Sequence, residues 1–91
     1  MKITVMGIGK VGSTVSFLLA REGLANELLL WNRTPAVAEA EAIDIQQACA
    51  FTPHRVRVRA AQSVEDTAGH ERIDAQKTAA RGRGFLRAEG A

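Results

Sequence analysis

Residues 2 to 6 of this chain, Lys-Ile-Thr-Val-Met, run straight into Gly7-Ile8-Gly9-Lys10-Val11-Gly12, a complete G-x-G-x-x-G. The apolar, partly β-branched run reads as a short buried strand, and the glycines that end it demand a tight turn. Each glycine has its own use in such a turn. Gly7 lets the chain leave the strand sharply, Gly9 bares the backbone to an approaching phosphate, and Gly12 lets the next helix lie close to the strand. Ser13 and Thr14 follow at the start of that helix, where free amides and the helix dipole favour an anion.

The pattern after the turn supports this reading. From Lys10 to about Glu22, the apolar residues Val11, Val15, Leu18 and Leu19 recur at helical spacing and predict one buried face, with Gly23 as the stop. Leu28 to Trp31 is a continuous apolar run of the kind a central parallel strand needs. Thr34 and Pro35 then suit a helix N-cap and first position, and Ala38, Ala42, Ile45 and Cys49 predict the inner stripe of a second helix. Arg55 to Arg59 alternates Arg and Val, which predicts a strand with one exposed face at a sheet edge. Strand, helix, strand, helix, strand in this order is the mononucleotide-binding half of a doubly wound α/β fold, a partial Rossmann sheet with parallel strands.

Past Ala60 the character changes. Val64, Ile73, Phe85 and Leu86 are the only large apolar residues left, and the last stretch is rich in Ala, Arg and Gly. The expectation is no further buried strand, and a marginal helix or disorder over residues 71 to 81. The domain reading is therefore a dinucleotide-binding unit over residues 1–69 and a divergent tail over residues 70–91.

Composition excludes several classes. At 91 residues, with 46% hydrophobic and 24% charged, the chain makes one globular domain at most. The formal charge of +2 comes with spaced Arg rather than basic residues interleaved with aromatics, so a nucleic-acid partner is set aside. Cys49 is the only cysteine, has no partner for an internal disulfide, and reads as a buried structural thiol. The N-terminus lacks the apolar core of a signal peptide, and no apolar run approaches the roughly 20 residues of a membrane span. No metal-ligand set stands out, and a cytoplasmic location is the expectation.

An acid is expected about 20 residues after the glycine motif, at the end of the second strand, because a carboxylate accepts both ribose hydroxyls of NAD and repels a 2′-phosphate. That position holds Asn32, followed by Arg33. An amide oxygen still accepts a hydroxyl, but the discriminating charge is missing and its neighbour is positive. NAD is the expected cofactor, with NADP the alternative.

These residues resemble the lactate and malate dehydrogenase family. MKITVMGIGKVGSTVSFLLAREGLANELLLWNRTP is similar to its first strand, glycine loop, first helix and second strand. EAEAIDIQQACAFTP resembles its next helix, and HRVRVRAAQSVEDTAG its third strand and following turn. The resemblance covers residues 1 to about 69 and implies a dinucleotide held by Gly7, Ile8, Gly9, Lys10, Val11, Gly12, Asn32 and Arg33. It also implies oxidation of a 2-hydroxy acid as the parent reaction, and association of subunits through helices including residues 35 to 50.

A fourth buried strand is expected by resemblance directly after Gly69, where this chain reads His70-Glu71-Arg72-Ile73-Asp74. On that departure the strand is expected to be absent, together with the family's catalytic half, so no residue is assigned a catalytic role. His54 and His70 read as loop residues, and Glu65 and Asp66 as solvated acids in a polar turn. The chain alone is expected to be inactive. A non-catalytic nucleotide-binding or subunit-docking module, or a non-functional truncated product, stays open as an alternative.

Overall fold

A computed structural model of the chain describes residues 1–75. The elements run β1 (Lys2–Met6), α1 (Lys10–Arg21), β2 (Glu27–Trp31), α2 (Pro35–Ala48), β3 (Arg57–Ala60), a single 3₁₀ turn (Glu65–Thr67) and β4 (Glu71–Asp74). The strands form one parallel sheet in the order β3-β2-β1-β4. The partial Rossmann architecture expected from the sequence is thus present, with one strand more than expected.

The central strands are buried as a parallel sheet requires: Val5, Leu28, Leu29 and Leu30 have no exposed surface. Each buried Leu or Val stabilises the fold by about 1.5–3 kcal/mol relative to leaving it in water. Ile3, Val5, Leu28, Leu30 and Val58 share a core with Ala20 of α1 and with Ala38, Ala42 and Ile45 of α2. Both helices therefore lie on one face of the sheet. Cys49, at the end of α2, is buried in the same core.

The buried line of α1 is Gly12, Ser16 and Ala20, with Val15, Phe17 and Leu19 partly buried beside it. Val11 and Leu18, expected on the inner face, are 40% and 45% exposed. The reason is proximity: a side chain on Gly12 would run into the carbonyl of Gly7, so only small residues fit where α1 crosses β1. Gly23, at φ 66°, ends the helix, its N–H donating to the Ala20 carbonyl while the Leu24 N–H donates to the Leu19 carbonyl. This pairing is the Schellman arrangement that leaves few helix carbonyls unsatisfied.

β3 is an edge strand, as its alternation predicts, and Val58 faces the core. Its inward amides bond to β2, with Arg57 N–H to the Asn26 carbonyl and Ala61 N–H to the Leu30 carbonyl. The outward groups are met by Gln46 of α2. Its side-chain oxygen accepts from Val58 N–H at 2.9 Å, and its amide donates to the Val56 carbonyl at 3.1 Å. One amide side chain thereby stands in for a missing strand and blunts the edge.

Residues 71–74 contradict the expectation of no strand and of a helix or disorder. They pair with β1 in parallel register, Ile3 with Glu71 through Met6 with Asp74. Only Ile73 packs on the core, and the other three side chains are exposed. Backbone pairing to β1 holds this edge strand, and that contribution leaves no apolar signature. Residues 76–81 of the expected helix lie outside the described residues.

From β3 to β4 the chain must pass from one edge of the sheet to the other. Val58 faces the helices, so Arg59 points to the opposite face, where it meets Asp66 of the 3₁₀ turn at 3.1 Å and Glu27 at 3.2 Å. The crossover therefore covers the face away from α1 and α2. Asp66, expected to be solvated, also accepts from the Gln62 N–H at 3.1 Å. These bonds, the Gln62 amide foremost and the Arg59 guanidinium next, hold its carboxyl below the ordinary aspartate value of 3.8. Arg59 is raised in turn, chiefly by its hydrogen bond to Asp66.

Candidate functional site

The glycine loop leaves β1 at the carboxyl end of the sheet. Gly7 sits at φ 85°, a left-handed conformation that suits glycine. Its N–H donates to the Trp31 carbonyl at 2.8 Å, and the next amide, of Ile8, donates to the side-chain oxygen of Asn32 at 3.0 Å. The nitrogen of Asn32 in turn donates to the Thr34 carbonyl at 3.2 Å. Asn32 thus ties the loop to the end of β2, a role the sequence did not signal.

Gly12 is required by packing. A Cβ there would overlap the Gly7 carbonyl oxygen and come within 3.4 Å of the Ala75 Cβ. Gly9 differs from both: its backbone is extended, at φ −158° and ψ −159°, and a Cβ built on it meets nothing within 4 Å. Neither conformation nor packing within the described residues obliges position 9 to be glycine.

Gly9 is also the N-cap of α1, and no side chain caps that helix. The first amides of a helix have no intrahelical partner, and together with the dipole they make the loop an acceptor-seeking, positive end. Lys10 and Val11, the first residues of α1, are exposed, and the first turn contains no acid. Ser13 faces the other way, its hydroxyl donating to Glu41 of α2. The loop therefore fits a phosphate-bearing ligand: bare backbone at Gly9, unpaired amides behind it, and open space in front.

A cleft of about 440 Å³ lies beside the loop, lined by Met6, Gly7, Trp31, Asn32, Arg33 and Asp74. It sits where β1 adjoins β2 on one side and β4 on the other, the point at which the chain reverses its direction of travel across the sheet. Ligands of open α/β sheets bind at such switch points. Arg33 and Asp74 are exposed at the cleft, whereas Trp31 and Asn32 are half-buried. Met6, Trp31 and Asp74 were not singled out from sequence, although all three end strands at the carboxyl edge. The wider groove of 640 Å³ between α2 and β3, lined by residues including Ala42, Ile43, Gln46 and Val58, lies away from the glycine loop.

The two histidines fall at the other end of the molecule. His54 lies against Gly23, ahead of β2 and β3, and His70 immediately precedes β4, so both stand at the amino end of the parallel sheet. Among the described residues, no group of three or more His, Cys, Asp or Glu could hold a metal ion, and no helix is long and apolar enough to cross a membrane.

The chain is similar in sequence and fold to proteins of one family. A family model described as "lactate/malate dehydrogenase, NAD binding domain" matches residues 1–89. An L-lactate dehydrogenase of Clostridium perfringens is 44% identical over 50 residues, 55% of this chain and 16% of that protein. A malate dehydrogenase of Aliarcobacter butzleri is 36% identical over 64 residues, 70% of this chain and 20% of that protein. Among solved structures, the malate dehydrogenase from Aeropyrum pernix superposes with a TM-score of 0.69 at 37% identity, covering 75% of this chain and 22% of its own. The minor L-lactate dehydrogenase from Enterococcus mundtii gives 0.71 at 29% identity, with 76% and 22% covered. The chain thus spans about a fifth of the length of the relatives it matches.

Proposed function

Because the chain belongs to the lactate/malate dehydrogenase family through its NAD-binding domain, we propose that it holds one dinucleotide across the carboxyl ends of β2, β1 and β4. Gly7, Ile8, Gly9, Lys10, Val11 and Gly12 take the pyrophosphate, and Asn32 and Arg33 the adenosine ribose. The observation that carries this reading is Gly9. A glycine that neither its own backbone nor its neighbours require is explained by a ligand that passes where a side chain would stand. The unpaired amides at the start of α1 supply the donors a pyrophosphate accepts.

When bound, a nicotinamide dinucleotide supplies a hydride acceptor; this chain's own residues bind and orient it. The parent reaction is the NAD-dependent oxidation of a 2-hydroxy acid to a 2-oxo acid, of the lactate or malate type that the relatives' names carry. Such a reaction also needs a proton acceptor beside the substrate. His54 and His70 stand at the far end of the sheet, so the 91-residue chain by itself gives no turnover of either acid. In an assembly, the exposed Val37 and Ile43 of α2 are the residues that helix-mediated association would bury.

NAD is the reading for the cofactor and NADP the alternative. Asn32 brings no charge, and its oxygen already accepts from Ile8. Arg33 beside it is exposed and offers a counter-charge to a 2′-phosphate. Calorimetric titration with NAD and NADP tests the reading. Both bind saturably to the wild-type chain, and Asn32→Asp widens the preference for NAD by about tenfold through repulsion of the extra phosphate. No saturable binding of either dinucleotide would overturn the proposal.

A further inference from the structure

We infer that Asn32 is a positioning residue for the phosphates of the ligand: it sets the course of the glycine loop by holding the Ile8 amide, in addition to any contact with the ribose. The inference rests on the dinucleotide reading above and concerns its pyrophosphate half.

Along an extended strand, successive amides point to opposite edges. β1 lies between β2 and β4. Once the Gly7 N–H donates to the Trp31 carbonyl on β2, an extended chain would aim the next amide at β4. It does not do so. Gly7 stands at φ 85°, and the Ile8 N–H returns to the β2 side, where the side-chain oxygen of Asn32 accepts it at 3.0 Å. The left-handed glycine and the asparagine thus act as a pair, one turning the amide and the other receiving it.

Asparagine suits the receiving end for a second reason. Its nitrogen donates to the Thr34 carbonyl at 3.2 Å. One orientation of the side-chain amide serves both partners, since an N–H must meet its oxygen and a carbonyl its nitrogen. Two consecutive loop amides are therefore held from the end of β2, Gly7 by the backbone of Trp31 and Ile8 by the side chain of Asn32. The amides of Lys10, Val11 and Gly12 open α1 and have no intrahelical acceptor. Holding Gly7 and Ile8 aims those three before a ligand arrives, and an anion then binds without the cost of ordering the loop.

A ligand without a ribose separates this role from a ribose contact, and inorganic pyrophosphate is such a ligand. The experiment is an NMR titration of the isotope-labelled full chain with inorganic pyrophosphate and with NAD, for wild type and Asn32→Leu, following the amides of Lys10 and Val11. Pyrophosphate binds Asn32→Leu about fivefold more weakly than the wild type, the size of effect that one hydrogen bond gives. Amide exchange in the free chain supplies a second readout. In the wild type, the Ile8 amide exchanges slowly and those of Lys10 and Val11 quickly, a measurement that needs no variant to fold. The protection of Ile8 is lost in Asn32→Leu and kept in Asn32→Asp, which retains an acceptor. Equal pyrophosphate affinities in wild type and Asn32→Leu, or a wild-type Ile8 amide that exchanges as fast as that of Lys10, would overturn this inference. With NAD still bound, either result would leave the dinucleotide reading standing. If neither ligand bound the wild type, both proposals would fall together.

Discussion

Of the turns that leave the carboxyl ends of the parallel strands, the one after β1 and the one after β3 treat their polar groups differently. In the crossover after β3, Asp66 accepts from Gln62 and Arg59, Ser63 accepts from the Asp66 amide, and the buried Thr67 donates to the Val64 carbonyl, with the buried Nδ1 of His70 the exception among the described residues. In the loop after β1, the helix that follows Gly9 starts without a side-chain cap, and the space before Gly9 is open. A loop that only connects satisfies its own donors. One that leaves donors pointing at open space is arranged for an acceptor from outside.

The sharpest division runs inside the first turn, between Gly12, which the fold needs, and Gly9, which the fold does not. Gly12→Ala drives a methyl group into the Gly7 carbonyl, a backbone atom that cannot swing aside, and costs about 2 kcal/mol despite alanine's better helix propensity. A chemical denaturation midpoint equal to that of the wild type would break the division at its structural side. In the second turn, Thr67→Val keeps the buried shape and removes the hydroxyl bonded at 2.6 Å to the Val64 carbonyl. The expected loss is about 1 kcal/mol by the same measurement, with no change in nucleotide affinity.

The smallest effect is pH-dependent. The Asp66 carboxyl is lowered in the folded chain, so the stability it adds is present above the ordinary value of 3.8 and is lost as pH falls through the folded value. Thermal melts of wild type and Asp66→Asn are therefore expected to differ slightly at pH 7, the pair being partly exposed, and to converge well below pH 4. Arg59, raised chiefly by its hydrogen bond to Asp66, adds stability that is lost only at more alkaline pH than any working range. A gap between the two proteins that widened in acid would show that Asp66 is not held in its charged form by these partners.

The sequence made much of this legible. The glycine spacing located the loop, and apolar runs located β1, β2 and the inner stripe of α2, because burial leaves a pattern in side-chain type. It misled where backbone rather than side chains sets the structure. β4 was invisible because an edge strand with only Ile73 inside is held by hydrogen bonds to β1, and every residue but proline can make those. The large apolar residues of α1 point to the wrong face, because close approach to the sheet selects the small line Gly12, Ser16 and Ala20. That line was readable as Gly12 extended by four and by eight. Asn32 was read for its missing charge, and its tie to Ile8 could not be seen, since the partner is a backbone amide 24 positions away in sequence.

The central claim is that Gly9 is glycine for a ligand and not for the fold, and a paired measurement on Gly9→Val tests it directly. Position 9 is extended, a conformation valine adopts readily, and its Cβ meets nothing, so the variant is expected to melt within about 2 °C of the wild type. Titrated with NAD, the wild type is expected to bind saturably and the variant not to bind, because the side chain occupies the approach to the α1 amides. A variant that bound NAD as tightly as the wild type, or a wild type that did not bind it, would contradict the account.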